Sequence, residues 1–281
     1  MSSLNGKIAF VTGATRGIGK GIVIALAKAG ACVYFTGRTA EEGKGAVNLA
    51  GSLMQTEKEA RQYNNEVYAI KCDHIVDEET QAAVQRVIEE KGRIDILVNN
   101  VWGGYECFND GTQFWLEREF FTIPINRWDK MFQAGIRAHY VTSSFVAPVM
   151  VEQGGGLIVN ISFWAAQRND MGVAYGIAKA ADDKMVETMA YELNKYNINT
   201  ISLYPGLVRT ESVMASAEFL NLENSETPEF IGRVIAGMMD DEKINEKSGT
   251  VQIAAKLAIE YGIADIDGNQ PLPLTIDSCK L

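Results

Sequence analysis

Ser162, Tyr175 and Lys179 are the residues whose types and spacing first suggest chemistry. Tyr175 and Lys179 stand four apart in Ala174-Tyr175-Gly176-Ile177-Ala178-Lys179-Ala180, so on a helix a phenol and an ammonium face the same way. A free phenol titrates at about 10, and bringing it to about 7 takes roughly 4 kcal/mol in favour of the phenolate. A fixed cation one turn away supplies much of that. Ser162, thirteen residues earlier, adds a hydroxyl that can hold a substrate oxygen while the phenol exchanges a proton with it. By itself the pair is better read as a surface tyrosine beside a solvated lysine, since amphipathic helices produce such pairs by chance. The amino-terminal segment decides between these readings.

Lys7-Ile8-Ala9-Phe10-Val11-Thr12 is a short apolar, β-branched run that reads as a buried strand. It feeds into Gly13-Ala14-Thr15-Arg16-Gly17-Ile18-Gly19, after which Ile18, Ile22, Ala25, Leu26 and Ala29 mark a helix ending at Gly30. Strand, glycine turn and helix is the context a dinucleotide pyrophosphate needs, with backbone N–H groups and the helix dipole meeting the phosphates. Cofactor choice is read after the second strand, Cys32-Val33-Tyr34-Phe35-Thr36. No carboxylate for ribose hydroxyls follows it. Gly37-Arg38-Thr39 does, and Arg16 adds a second guanidinium. Two forked cations favour the 2′-phosphate of NADP(H) over NAD(H).

The 281 residues fit one large α/β domain, 47% hydrophobic and 22% charged. A formal charge of −10 argues against a nucleic-acid partner. No signal-like opening and no long apolar run occur, so no membrane partner and a cytoplasmic location are expected. Cys32, Cys72, Cys107 and Cys279 lack paired or metal-ligand spacing, which points to reduced thiols and no metal. His74 and His139 are far apart, have no evident carboxylate companions, and read as structural. Further strands are expected at Val67–Lys71, Ile94–Asn99, Leu157–Ile161, Asn199–Leu203 and Thr250–Ile253. Helices are expected around Ala46–Tyr63, Glu78–Lys91, Arg127–Glu152, Tyr175–Tyr196 and Pro228–Met239. The alternation implies an α/β Rossmann fold: a doubly wound parallel sheet of about seven strands with helices on both faces, in a single domain over 1–281.

These residues together resemble the short-chain dehydrogenases/reductases. Thr12-Gly13-x-x-x-Gly17-x-Gly19 is similar to that family's cofactor turn, Cys72-Asp73 to its adenine contact, and Asn99-Asn100 to the first half of its Asn-Asn-Ala-Gly segment. Ser162, Tyr175 and Lys179 match its catalytic residues, and Pro205-Gly206-Leu207-Val208-Arg209-Thr210 the segment closing over nicotinamide. The resemblance implies cofactor contacts at Gly13, Thr15, Arg16, Gly17, Ile18, Gly19, Arg38, Asp73, Asn100, Tyr175, Lys179, Pro205, Gly206, Val208 and Thr210. It implies that Lys179 also holds the ribose hydroxyls and that Thr210 reaches the carboxamide. A homodimer or homotetramer pairing the helices at Arg127–Glu152 and Tyr175–Tyr196 is implied as well.

Departures narrow the branch. Asn99-Asn100-Val101-Trp102-Gly103-Gly104 replaces Asn-Asn-Ala-Gly, and Gly135 stands where many relatives carry a helix asparagine that holds a water for the lysine. A carbonyl freed near Gly135 is expected to hold that water instead. The pattern Gly135-x-Arg137-x-His139-Tyr140 and the ending after Ser248-Gly249-Thr250-Val251 look like the dehydrogenase/reductase member 1 group of the family. Residues 103–127 and 207–227 read as substrate and cofactor loops, and 254–281 as a C-terminal tail. The first loop carries Tyr105, Phe108, Phe114, Trp115, Phe120, Phe121 and Ile123, an apolar wall suited to a hydrophobic aldehyde, ketone or alcohol. The same aromatics equally suit loop packing or a subunit contact. The expected activity is hydride transfer between NADP(H) and a carbonyl/alcohol pair. Alternatives are a sensor or scaffold of the same fold that has lost catalysis, and a sugar-nucleotide epimerase, which the glycine spacing disfavours.

Overall fold

The computed structural model describes residues 3–43, 49–104 and 119–279. β1 (Ile8–Val11), β2 (Cys32–Gly37), β3 (Val67–Lys71), β4 (Ile96–Asn99), β5 (Gly156–Ile161) and β6 (Ile198–Tyr204) carry the sheet. β7 (Leu207–Val208) and β8 (Ser225–Glu226) form a separate short parallel pair, and β9 (Val251–Ile253) returns to the main sheet. The seven-stranded sheet runs β3-β2-β1-β4-β5-β6-β9, with every pairing parallel. This is the Rossmann order, and its strand sequence reverses between β1 and β4, where the crevice of such a sheet lies.

Strand alternation sends side chains to two cores. Ala9, Val11, Val33, Phe35, Val98 and Leu203 face α1 (Gly17–Lys28) and the later helices Pro228–Met238 and Ala254–Glu260. Ile8, Phe10, Tyr34, Leu97 and Ile158 face the opposite way, with Ala83, Val84 and Val87 of the helix Asp77–Lys91. Phe10 and Leu97 are fully buried and paired in register across the switch point. Burying each is worth about 1.5–3 kcal/mol, so the register that aligns the two strand ends is well determined.

Helix α2 spans Leu53–Ala60, so of the helix expected from Ala46 residues 49–52 are not helical, and 46–48 lie outside the described residues. The reason is local: the Ser52 side chain accepts the Gln55 N–H at 3.2 Å and caps the helix at Leu53. Helix α3 is Asp77–Lys91. The long helix expected over Arg127–Glu152 is built as α4 (Ile125–Met131), a π-helical turn over Phe132–Arg137, and α5 (Ala138–Gln153). Such turns insert an extra residue and concentrate at functional sites; this one contains Gly135. Helix α6 (Val173–Leu193) carries Tyr175 and Lys179. The short helix α7 (Glu211–Met214) follows β7, and α8 is Pro228–Met238. The segment read as a tail packs closely: Cys279 is buried in a cluster with Trp164, Met171 and Tyr204, and Tyr175 lies against that cluster. Among the described residues no helix is long and apolar enough to cross a membrane.

Candidate active site

The glycine turn leaves β1 at Gly13 in the left-handed region, φ +68°. A Cβ on Gly13 would lie 2.6 Å from Val101 Cα, and one on Gly19 would lie 2.4 Å from Asn100 Nδ2. The end of β1 and the start of α1 therefore approach the chain after β4 this closely only because both positions lack a side chain. Asn100 locks the contact: its Nδ2 donates to the Thr12 and Gly13 carbonyls at 3.0 and 2.8 Å. Thr15 is buried behind the turn and Ile18 half-buried at the start of α1. The first free N–H of α1, on Gly17, donates to Glu211 Oε2 at 2.8 Å. A carboxylate from α7 thus occupies a donor that a helix N-terminus offers to phosphate.

Arg16 and Arg38 flank this turn. The Arg16 guanidinium donates to the carbonyls of Ala50 at 2.9 Å and Gly51 at 3.2 Å, tying the segment after β2 to the glycine turn. Burial holds its pKa below the ordinary arginine value, Glu211 opposes that, and repulsion from Arg38 adds to it, so the two cations feel each other. Arg38 Nη1 lies 3.9 Å from Asp73 Oδ2. Two arginines thus border the glycine cradle, and the bare Gly13 and Gly19 fit a pyrophosphate. After β6, the chain turns at Pro205-Gly206, where the Gly206 N–H donates to buried Glu226 at 2.8 Å. Val208 is buried, and the Thr210 hydroxyl caps α7 by accepting the Val213 N–H at 3.3 Å.

Ser162 follows β5, with its N–H on the Leu203 carbonyl at 3.0 Å and its Oγ donating to the Lys179 carbonyl at 3.3 Å. That second bond joins the strand end to α6. The Tyr175 ring stands in the first turn of α6, edge-on to Trp102 at 5.6 Å and stacked on Phe163 at 6.5 Å. Lys179 is 6% exposed. Its Nζ donates to the Ile161 carbonyl at 2.8 Å and to Asp182 Oδ2 at 3.3 Å, and lies 4.4 Å from the centre of the Trp102 ring. The three residues singled out from the sequence thus share one end of the sheet with the glycine turn.

Sequence reasoning missed what surrounds the lysine. His139 does have a carboxylate companion, contrary to the reading of its neighbours: its Nδ1 lies 2.7 Å from Asp182 Oδ1, and its Nε2 3.0 Å from the Val101 carbonyl. The pair is 43 positions apart and is joined only by the packing of α5 on α6. Gly135 itself lies within the π-helical turn. Its carbonyl accepts the Ala138 N–H, and the Trp102 indole packs against its α-carbon, where a Cβ would come within 2.8 Å of the ring. The tryptophan that stands at 102 in place of the glycine of Asn-Asn-Ala-Gly, visible in the sequence, was the available signal.

Phe120 and Phe121 are exposed and Ile123 is half-buried. Tyr105, Phe108, Phe114 and Trp115 lie outside the described residues.

Residues 7–221 match the short chain dehydrogenase family. The chain belongs to it. Dehydrogenase/reductase SDR family member 1 of Mus musculus is 34% identical over 95% of this chain and 86% of its own length. The 7alpha-hydroxysteroid dehydrogenase of Escherichia coli K12 is 30% identical over 75% of this chain and 74% of its own. Among solved structures, a 7 alpha-hydroxysteroid dehydrogenase complexed with NADH and 7-oxo glycochenodeoxycholic acid superposes with a TM-score of 0.73 at 25% identity, covering 96% of this chain and 97% of that one. The chain is accordingly an oxidoreductase of the short-chain dehydrogenase/reductase type, and its group resembles member 1.

Proposed function

We propose that this short-chain dehydrogenase/reductase works as one NADP(H)-binding domain over 1–281 and interconverts a hydrophobic aldehyde or ketone with its alcohol. The observation that carries this is the placement of Ser162, Tyr175 and Lys179 beside the Gly13–Gly19 cradle. The dinucleotide, when bound, supplies or accepts hydride at its nicotinamide. Gly13, Gly17 and Gly19 present backbone to its pyrophosphate. Thr15, Ile18, Asp73 and Asn100 complete the cradle and adenine side, while Pro205, Gly206, Val208 and Thr210 border the nicotinamide end. In the reducing direction Ser162 holds the carbonyl oxygen and Tyr175 gives it a proton. The carbonyl carbon gains hydride, so C=O becomes CH–OH with charge balanced. Lys179 holds the ammonium charge that favours the phenolate left behind, and reaches the ribose hydroxyls.

NADP(H) over NAD(H) rests on Arg16 and Arg38 in this chain; the hydroxysteroid dehydrogenase that superposes on it is in complex with NADH. The substrate reading rests on exposed Phe120 and Phe121, which belong to the segment 103–127. The named relatives add a cyclic ketone of steroid size to the candidates. Exposed Tyr140 and Tyr191 on α5 and α6 support a homodimer or homotetramer through these helices, as does half-buried Phe145. Phe132, Val149, Met185 and Met189, expected to share that surface, are also half-buried. Reduced thiols support a cytoplasmic setting. A catalytically weak cofactor sensor is the second reading, favoured by the tryptophan packed where relatives keep a relay side chain. Single-turnover oxidation of NADPH with aliphatic aldehydes, quinones and 7-oxo steroids separates them: consumption with one class supports the enzyme. No consumption with any class, despite tight NADPH binding, supports the sensor.

A further inference from the structure

Lys179 is enclosed by contacts that the proposed chemistry does not require. Asp182, on the next turn of α6, is 0% exposed and uses both carboxylate oxygens. Oδ2 receives Lys179 Nζ at 3.3 Å, and Oδ1 receives His139 at 2.7 Å and Asn160 Nδ2 at 3.3 Å. Asn160 is held in turn by Asn99 Nδ2 at 2.8 Å. His139 reaches from α5 and bonds the carbonyl of Val101, the residue before Trp102, whose ring covers the lysine. The contacts close a ring from Lys179 through Asp182, His139, Val101 and Trp102 back to Lys179.

Resting on the reading of Tyr175 as proton donor, we propose that Asp182 is a positioning residue for Lys179: its carboxylate, clamped by His139, fixes the ammonium beneath Trp102 and balances its charge. A buried carboxylate with no partner would be strongly penalised. Burial pushes the Asp182 carboxyl up, but His139 and Lys179 outweigh it and hold the group below the usual carboxylate range. The anion therefore persists beside the lysine. Its consequence for the phenol follows from Coulomb's law. An uncompensated ammonium favours the phenolate, whereas an ammonium paired to an anion favours it less. Asp182 thus keeps the phenol protonated to higher pH, which suits a donor in the reducing direction.

The other titratable groups around this anion have identifiable effects. His74, on the far side of His139, is bonded to Thr36 at 2.7 Å and pushed down to about 3, by burial and then by His139, so it stays neutral. Asp183, beside Asp182 on α6, bonds Ser202 and Tyr204 and also interacts with Ser162, each of which favours its carboxylate. Burial raises the Asp183 carboxyl first, with repulsion from Asp182 adding to it. His139 and Lys179 are the titratable groups that bond the Asp182 carboxylate.

The test is an ultraviolet phenolate titration of the full chain, with Tyr175→Phe subtracted so that only Tyr175 is read. In Asp182→Asn the alkaline midpoint should fall by about one pH unit, as expected for removing a nearby anion. The alkaline limb of NADPH-dependent phenanthrenequinone reduction should move down with it, while KM changes less than kcat. An Asp182→Glu variant should return the midpoint toward wild type. If Asp182→Asn does not fold, Asp182→Ser, which admits water instead of leaving an unpaired amide, is read in its place. An unchanged midpoint in a folded variant overturns the inference. Substantial turnover by Tyr175→Phe would instead overturn the proton-donor reading, leaving the effect of Asp182 on the phenol still measurable.

Discussion

The Trp102 indole fills the space a side chain at Gly135 would need, coming within 2.8 Å of a Cβ built there. The same ring covers the Lys179 ammonium at 4.4 Å. The two departures noted in the sequence, Trp102 and Gly135, are therefore one change made on two elements.

Restoring an asparagine at 135 should consequently fail by itself. Gly135→Asn forces the indole off the lysine, and such overpacking costs about 1–3 kcal/mol. Paired with Trp102→Ala, it should regain most of the lost thermal stability. Thermal melts of the two single variants and the double variant measure the coupling. Additive losses would show that the two positions are independent.

Glu211 holds the Gly17 N–H that a pyrophosphate would approach. Glu211→Gln keeps the shape but removes the negative charge, so NADPH should bind several-fold more tightly. Isothermal titration of both proteins checks this. Weaker binding by the variant would mean that the carboxylate supports the bound state rather than competing with it.

Glu226 is buried beneath the Gly206 turn, and its carboxyl is pushed up to about 7, by burial first and by repulsion from Asp265, against the opposing Gly206 N–H. The unfolded carboxyl titrates at about 4.3. Between these values the unfolded chain has lost the proton and the folded chain keeps it. Stability attached to this group is therefore full below about pH 4 and lost as pH rises toward 7, by an amount on the order of 3 kcal/mol. Glu226→Gln should melt several degrees higher than wild type at pH 8 and at nearly the same temperature at pH 4. Equal melting temperatures at pH 8 would contradict this assignment.

Arg38→Asp should turn cofactor preference from NADPH toward NADH. Loss of a charge-assisted phosphate contact costs about 1.5–3 kcal/mol, and the new carboxylate accepts ribose hydroxyls instead. Dissociation constants for both cofactors in wild type and variant decide it. Wild-type protein that binds NADH as tightly as NADPH would contradict the arginine reading.

What the sequence made legible was local. β3 is Val67–Lys71 as its apolar run implied, and the glycine turn falls between β1 and α1 because its signature is contiguous. Contacts between distant positions were hidden. His139 and Asp182 meet through α5 and α6, and no periodicity records that the two faces oppose each other. Arg16 was visible in the glycine turn, but its bonds to the carbonyls of 49–51 were not, because they depend on where the chain after β2 returns. The π-helical turn around Gly135 left no mark, since 3.6-residue periodicity cannot register one inserted residue.

The central claim, that Tyr175 is the proton donor of a hydride-transfer enzyme, is tested most directly by single-turnover NADPH oxidation with Tyr175→Phe at saturating carbonyl substrate. The ring contacts to Trp102 and Phe163 should keep the variant folded and NADPH-bound. The account predicts loss of turnover by about 100-fold or more, the scale of a removed general acid, with the NADPH dissociation constant nearly unchanged. Retention of more than about a tenth of the wild-type rate, set against that scale, would contradict it.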